Sequence, residues 1–193
     1  MLKREVHTRG VVIARRAAGE GSLRVLIYTE ELGLVVAVAT SAREERSLLR
    51  AHLVEGCRAT YSLVKGKRDW RVTGAVGARM SYFECTTDEQ RQSSARVMAL
   101  VRQFVHGDGV DEGLFLSVWE YLSALSTLGT SEVRIAEYVA VLRVLAAFGY
   151  VAKTDVVEEF IAPDYTAALL ASASKKRSAL VKVINHGLGA SGL

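Results

Sequence analysis

The chain has 193 residues, 50% of them apolar and 24% charged, with a single proline, a composition that builds a core and excludes wholesale disorder. Its formal net charge of +4 is unevenly placed: residues 1–80 hold 15 Lys and Arg against 8 Asp and Glu, or +7, whereas residues 81–193 hold 10 against 13, or −3. The basic surplus belongs to the N-terminal part, where it suits a polyanionic partner.

The apolar run Gly10 to Ala14 is too short for a secretory core segment. The stretch Ile135 to Phe148 is interrupted by Glu137 and Arg143 and is shorter than the roughly 20 residues a membrane span needs. A soluble, cytoplasmic protein with no membrane association is the expectation. Cys57 and Cys85 are far apart and lack a C-x-x-C partner, which indicates neither a zinc site nor a disulfide framework.

From Val6 to Ala78 the apolar pattern has period two and is punctuated by glycine turns, the signature of strands. Five strands are expected, over Val6–Ala17, Ser22–Thr29, Leu34–Ala39, Leu53–Val64 and Arg68–Val76. Turns fall at Gly19-Glu20-Gly21, Glu30 to Gly33 and Lys65-Gly66-Lys67. In the fourth strand Cys57, Ala59, Tyr61 and Leu63 fall on one face and Arg58, Thr60 and Ser62 on the other; in the fifth, Trp70, Val72 and Val76 oppose Arg71 and Thr73. Five short strands without crossover helices remove their edges by closing into a barrel. The polar segment Ser41 to Arg50 has room for a short helix between the third and fourth strands.

After Ala78 the period becomes 3.6. Thr86-x-x-Glu89 reads as a capping box for a helix with Val97, Leu100, Val101, Phe104 and Val105 on its apolar face, stopping near Gly107. A second helix, from about Asp111 to Leu128, places Leu114, Val118, Tyr121, Leu122 and Leu125 inward, with Gly129 as its C-cap. A third, capped by Thr130 or Ser131, carries Ile135, Val139, Leu142 and Ala146 and ends at Gly149. Pro163 suits the first turn of a fourth. A fifth, Ser174 to Asn185, opens on Lys175-Lys176-Arg177, where cations oppose the helix dipole. The fold class expected is α+β in two segregated parts: a five-stranded OB-fold β-barrel over residues 1–80, binding nucleic acid, then an all-α domain over 81–193.

No catalytic or cofactor motif stands in its required context. Gly187-Leu188-Gly189-Ala190-Ser191-Gly192 spells G-x-G-x-x-G, yet no strand precedes it and no helix follows, so it reads as a flexible tail. Gly66-Lys67-Arg68 lacks the spacing and the Ser/Thr of a P-loop. His7, His52, His106 and His186 are dispersed, and the pairs Glu30-Glu31, Glu44-Glu45 and Glu158-Glu159 are adjacent residues that point to different sides. Neither an enzyme nor a cofactor is expected.

A basic population remains where a barrel exposes its loops: Arg15, Arg16, Arg24, Arg43, Arg46, Arg50, Arg58, Lys65, Lys67, Arg68 and Arg71. Arginine outnumbers lysine twelve to three in residues 1–80, and its planar fork suits phosphate. Trp70, Tyr28 and Tyr61 lie among these charges; an OB barrel binds single strands by pairing a basic groove with aromatic platforms, although alternation turns Trp70 and Tyr61 toward the core.

Gly10-Val11-Val12-Ile13, Gly19-Glu20-Gly21-Ser22-Leu23-Arg24-Val25, Tyr28-Thr29-Glu30-Glu31-Leu32-Gly33-Leu34 and Ala39-Thr40-Ser41-Ala42-Arg43, in that order, resemble the opening of the recombination mediator RecO family. Leu142-Arg143-Val144-Leu145 with Phe148-Gly149-Tyr150 resembles that family's R-x-L-x-x-x-G-Y helix end. The resemblance implies an N-terminal OB-fold, a helical C-terminal domain, binding of single- and double-stranded DNA, strand annealing, recombinase loading with a RecR-like partner, and contact with the acidic tail of single-stranded DNA-binding protein. It is to a short form: the four-cysteine zinc module is absent, Thr40-Ser41 stands where the family carries Lys-Gly, and Gly189 to Leu193 stands in place of a basic tail. The DNA contacts expected are Arg15, Arg16, Arg24, Arg43, Arg46, Arg50, Lys65, Lys67, Arg68 and Arg71, with Lys175, Lys176 and Arg177 as an auxiliary site for an anion or partner tail. The alternative is a protein-docking adaptor of a repair complex that touches DNA weakly, which the acidic helical half favours.

Overall fold

The computed structural model describes residues 5–106, 109–152 and 154–192, with side chains other than those of residues 80–82. Five strands, β1 (Glu5–Ala18), β2 (Ser22–Thr29), β3 (Gly33–Ala39), β4 (Cys57–Lys65) and β5 (Trp70–Met80), close into a barrel in the order β1-β2-β3-β5-β4. All neighbours are antiparallel except β3 and β5. This is the OB-fold. The helices are α1 (Ser81–Glu84), α2 (Asp88–Phe104), α3 (Glu112–Ala124), α4 (Thr130–Ala147), α5 (Asp155–Glu158), α6 (Ala167–Lys175) and α7 (Arg177–Ser191). The chain divides into two compact units, Met1–Glu84 with Val105–Glu112, and Cys85–Phe104 with Gly113–Leu193.

In the barrel unit, alternation puts Val25, Ile27, Val35, Ala37, Ala39, Cys57, Ala59, Tyr61 and Leu63 into one core. The inward face of β4 is the one expected. Its start is not: residues before Cys57 form a 3-10 turn at Arg50–Leu53, because Tyr61 donates its hydroxyl to the His52 carbonyl at 2.8 Å and holds that segment across the end of the barrel. The helix allowed for Ser41 to Arg50 is replaced by successive turns. In β5 the expected phase fails at Val76, which is 66% exposed. Leu63 pairs with Val72 but Ser62 with Gly74; one residue is bulged out, and the side chains that follow change face until a second register shift, opposite the step from Thr60 to Arg58 of β4, changes the phase again. Ala75 and Ala78 then pack on the core. Arg58, expected on a wet face, is 5% exposed and donates from Nη2 to Glu84 Oε2 at 2.7 Å.

In the helical unit the cap of α2 is one residue later than expected. Thr87 Oγ1 accepts from the Gln90 amide at 3.2 Å while Gln90 Oε1 accepts from the Thr87 amide at 3.1 Å, a reciprocal box that satisfies two orphan donors. The stop expected at Gly107 lies outside the described residues; α2 itself ends at Phe104. On α2, Val97, Val101 and Phe104 are buried and Leu100 half-buried. Leu114, Val118, Tyr121, Leu122 and Leu125 are all buried as expected. Gly129 is not a C-cap but the N-cap of α4, with extended backbone and its amide donating to Glu132 Oε2 at 3.0 Å. The other end of α4 closes on Gly149 at φ +75°, with Gly149 N–H to Ala146 O at 3.0 Å and Tyr150 N–H to Leu145 O at 2.9 Å, a Schellman end that needs the left-handed residue.

Pro163 lies in an irregular loop rather than a helix, and Arg143 supplies the reason. Its buried guanidinium donates to the carbonyls of Phe160 at 2.6 Å, Pro163 at 3.0 Å and Asp164 at 3.0 Å, with Tyr165 stacked 4.5 Å from its ring centroid. Carbonyls turned onto one cation cannot point along a helix axis. Burial draws the pKa of Arg143 below its ordinary value, with Tyr165 and Asp164 working against that shift. Helix α6 begins four residues after Pro163, its first turn capped by Thr166 Oγ1 accepting from the Leu169 amide at 3.2 Å. Helix α7 runs through the glycine-rich segment to Ser191, so that segment is not a flexible tail. A Cβ at Gly187 would meet Val151 Cγ2 at 3.0 Å, Leu145 Cδ1 at 3.1 Å and the Tyr150 carbonyl at 3.2 Å; the glycine permits close approach of backbone and neighbours.

Candidate nucleic-acid interface

Strand β1 carries an extra residue: Val12 pairs with Ile27 and Ala14 with Leu26, leaving Ile13 bulged. Beyond it Arg15 pairs with Val25, an inward-facing residue, so Arg15 has the inward phase. It is nevertheless exposed, because β4 accompanies β1 only as far as Val11 opposite Arg58. Past that point the inner side of β1 meets the segment between β3 and β4. The result is an open pocket of about 450 Å³ lined by Arg15, Arg16, Arg43 and Arg50 over an apolar floor of Ala17, Leu23 and Ala42. Arg43 is steadied by its Nη1, 3.3 Å from Gly19 O and 3.4 Å from Glu20 O, and by its amide donating to Gly21 O at 2.9 Å.

The outer face adds a row. Arg16 is opposite Arg24, Arg24 opposite Val38, and Val38 opposite Arg71, so three guanidinium groups from β1, β2 and β5 follow one line across the barrel. Directly opposite like charges repel in the absence of an anion. Arg24 is partly neutralised by Asp69, which accepts from Nη2 at 3.0 Å and lies 3.0 Å from Nη1. Lys67 and Arg68 are exposed in the β4–β5 turn, Arg46 in the β3–β4 connection. The exposed Lys65 stands with Nζ 4.8 Å from the centroid of the half-buried Trp70 ring. Tyr28 and Tyr61 are 1% and 0% exposed and offer no ring to a ligand. Burial raises both phenols well above their ordinary pKa.

Contrary to expectation, Lys175, Lys176 and Arg177 do not open one helix together. Lys175 ends α6, where a cation is favourable to the dipole, Lys176 is the cap between the helices, and Arg177 starts α7. Lys176 is ion-paired with Glu159, and Arg177 lies 5.8 Å from the centroid of the Tyr138 ring. Leu48, not among the site residues expected from the sequence, is 88% exposed between Arg46 and Arg50; the signal was a leucine in a segment with no apolar period. Among the described residues no group of three or more His, Cys, Asp and Glu could hold a metal ion, and no helix is long and apolar enough to cross a membrane.

Residues 1–74 match the family model described as "Recombination protein O N terminal". The chain is also 34% identical over 68 residues to a DNA repair protein RecO of Dehalococcoides mccartyi, a match covering 35% of this chain and 27% of that relative, so the alignment spans about a quarter of the relative's length. Ser41 has φ +53°, the left-handed region that glycine enters freely. The strand order and the parallel β3–β5 closure are those of an OB barrel, and over its first 74 residues the chain is similar to the recombination protein O N-terminal family.

Proposed function

We propose that this chain is a DNA-binding recombination mediator that acts in repair without catalysing a reaction. The observation that carries it is the pocket of Arg15, Arg16, Arg43 and Arg50 continued by the Arg16, Arg24, Arg71 row. Four guanidinium groups around an open concavity repel one another, and a phosphate chain relieves that repulsion. Lys65, Lys67, Arg68 and Arg46 extend the surface to both loops. In this reading residues 1–80 bind single- and double-stranded DNA and support annealing and recombinase loading with a RecR-like partner, while residues 81–193 serve docking. The corner at Lys175, Lys176 and Arg177 is the auxiliary site for an acidic tail, for which Lys176 exchanges Glu159.

Affinity for a single-stranded oligonucleotide, measured across salt concentration, tests the reading. Contact with about four to six phosphates gives a log–log slope of about −3 to −4, and the protein alone anneals complementary strands. An affinity indifferent to salt would overturn it. The adaptor alternative, favoured by the −3 balance of residues 81–193, instead gives a pull-down with a RecR-like ring and no shift of bare DNA.

A further inference from the structure

The connection between β3 and β4 supplies Arg43 and Arg50 to the pocket, and it is not loosely held. Glu44 N–H donates to Ser41 O at 3.2 Å, Ser47 N–H to Glu44 O at 3.1 Å, Arg50 N–H to Ser47 O at 3.2 Å and His52 N–H to Leu49 O at 3.0 Å. His52 Nδ1 also donates to the Leu48 carbonyl at 3.0 Å, and Leu49 packs on the barrel core. On this frame Leu48 points its side chain into solvent, 88% exposed, with an exposed arginine two residues away on either side.

A lone exposed leucine is ordinary on a protein surface; its setting here is not. The ligand that satisfies Arg43, Arg46 and Arg50 is a polyanion, and the only common polyanion that also offers a flat apolar face is a nucleic acid strand with an unstacked base. Of the aromatic residues that lie among these basic groups, Tyr28 and Tyr61 are buried and the half-buried Trp70 has Lys65 Nζ 4.8 Å from its ring centroid. We infer that Leu48 is a base-contacting residue: with the strand's phosphates on Arg43, Arg46 and Arg50, its side chain seats against the face of one unstacked base of single-stranded DNA. Leucine is among the side chains able to lie against or between bases, and contact of that kind is tolerant of sequence.

This inference rests on the DNA-binding reading above, and the test separates the two. Binding of the full chain is measured to oligothymidylate and to an abasic deoxyribose-phosphate strand of equal length, for the unaltered protein, Leu48→Ala and Arg50→Ala. The unaltered protein binds the base-bearing strand more tightly; Leu48→Ala weakens that binding by about three- to tenfold, as loss of part of a leucine's burial implies, and leaves the abasic affinity and the salt slope unchanged. Arg50→Ala weakens both strands together. A Leu48→Trp variant shows indole fluorescence quenched by oligothymidylate and not by the abasic strand. Leu48→Ala binding as the unaltered protein does, or weakening both strands equally, overturns the base contact while leaving DNA binding intact; an unaltered protein that binds neither strand overturns both readings.

Discussion

Arg58 and Glu84 are joined by a charge-assisted hydrogen bond of 2.7 Å in which the arginine side chain is 6% exposed and the glutamate 26%. Arg79 adds a longer contact to the same carboxylate at 3.8 Å. Removing the carboxylate leaves a cation enclosed beside a second arginine. Glu84→Ala therefore lowers stability by about 2–3 kcal/mol, less than the loss of roughly 3–5 for a wholly buried pair because Glu84 keeps some solvent. Denaturant melts of Glu84→Ala and Arg58→Met check this; the latter, with no stranded charge, is the milder of the two.

Arg9 and Glu30 give the barrel a pH dependence. Arg9 Nε donates to Glu30 Oε2 at 2.7 Å and Nη2 to the other oxygen, and this pairing lowers the Glu30 pKa from its ordinary 4.5. A carboxyl with a depressed folded pKa stabilises the fold fully above its unfolded value and ceases to do so as pH falls through the folded one. The difference in thermal midpoint between the unaltered protein and Arg9→Met is accordingly constant above about pH 6 and shrinks as the pH falls below 4.5. A gap that widens on acidification contradicts the assignment.

Asp69 is the acid that quenches the arginine row, through two 3.0 Å contacts to Arg24. Asp69→Asn keeps a hydrogen-bonding side chain and deletes the charge. In the DNA-binding reading it tightens binding to a single strand by about two- to fivefold at low salt, an effect that fades as ions screen the surface. Titration at two ionic strengths reads both parts of that expectation.

Two glycines of α7 behave in opposite ways. At Gly187 an added methyl enters a space bounded at 3.0 to 3.2 Å by Val151, Leu145 and the Tyr150 carbonyl, so Gly187→Ala lowers stability by about 1–2 kcal/mol despite alanine's better helix propensity. At Gly189 nothing lies within 4 Å; Gly189→Ala raises stability by about 0.5 kcal/mol, a fraction of the mid-helix gain because the last turn frays. Thermal melts of the two variants move in opposite directions.

Where a single period governs a segment, the sequence was readable. Strand β2 has the residues expected, Ser22–Thr29, the inward face of β4 is the alternation of Cys57, Ala59, Tyr61 and Leu63, and the buried stripe of α3 follows its 3.6 period. What escaped belongs to contacts distant in sequence or to a choice between equivalent neighbours. Thr86 and Thr87 both precede an acid or amide three residues on, and only packing decides for Thr87. Val76 changes face because of an unpaired residue in its own strand, which alternation does not announce. Pro163 loses its helix to Arg143, 20 residues earlier. In the arginine pocket the residue types were legible, but the early end of β4 that uncovers Arg15 is a property of register.

The seam between β3 and β5 consists of Ala37 with Trp70 and Val38 with Arg71, whereas β1 and β2 pair over eight positions. A ring is as strong as its narrowest join, so this is the latch of the barrel. The amide hydrogens of these two pairs exchange with solvent before those of β1 and β2. Arg24 lies on one side of the latch and Arg71 on the other, so in the DNA-binding reading a phosphate chain running along the row fastens it from outside, and slowed exchange at Val38 and Arg71 on adding a single strand is the expected record of that occupancy.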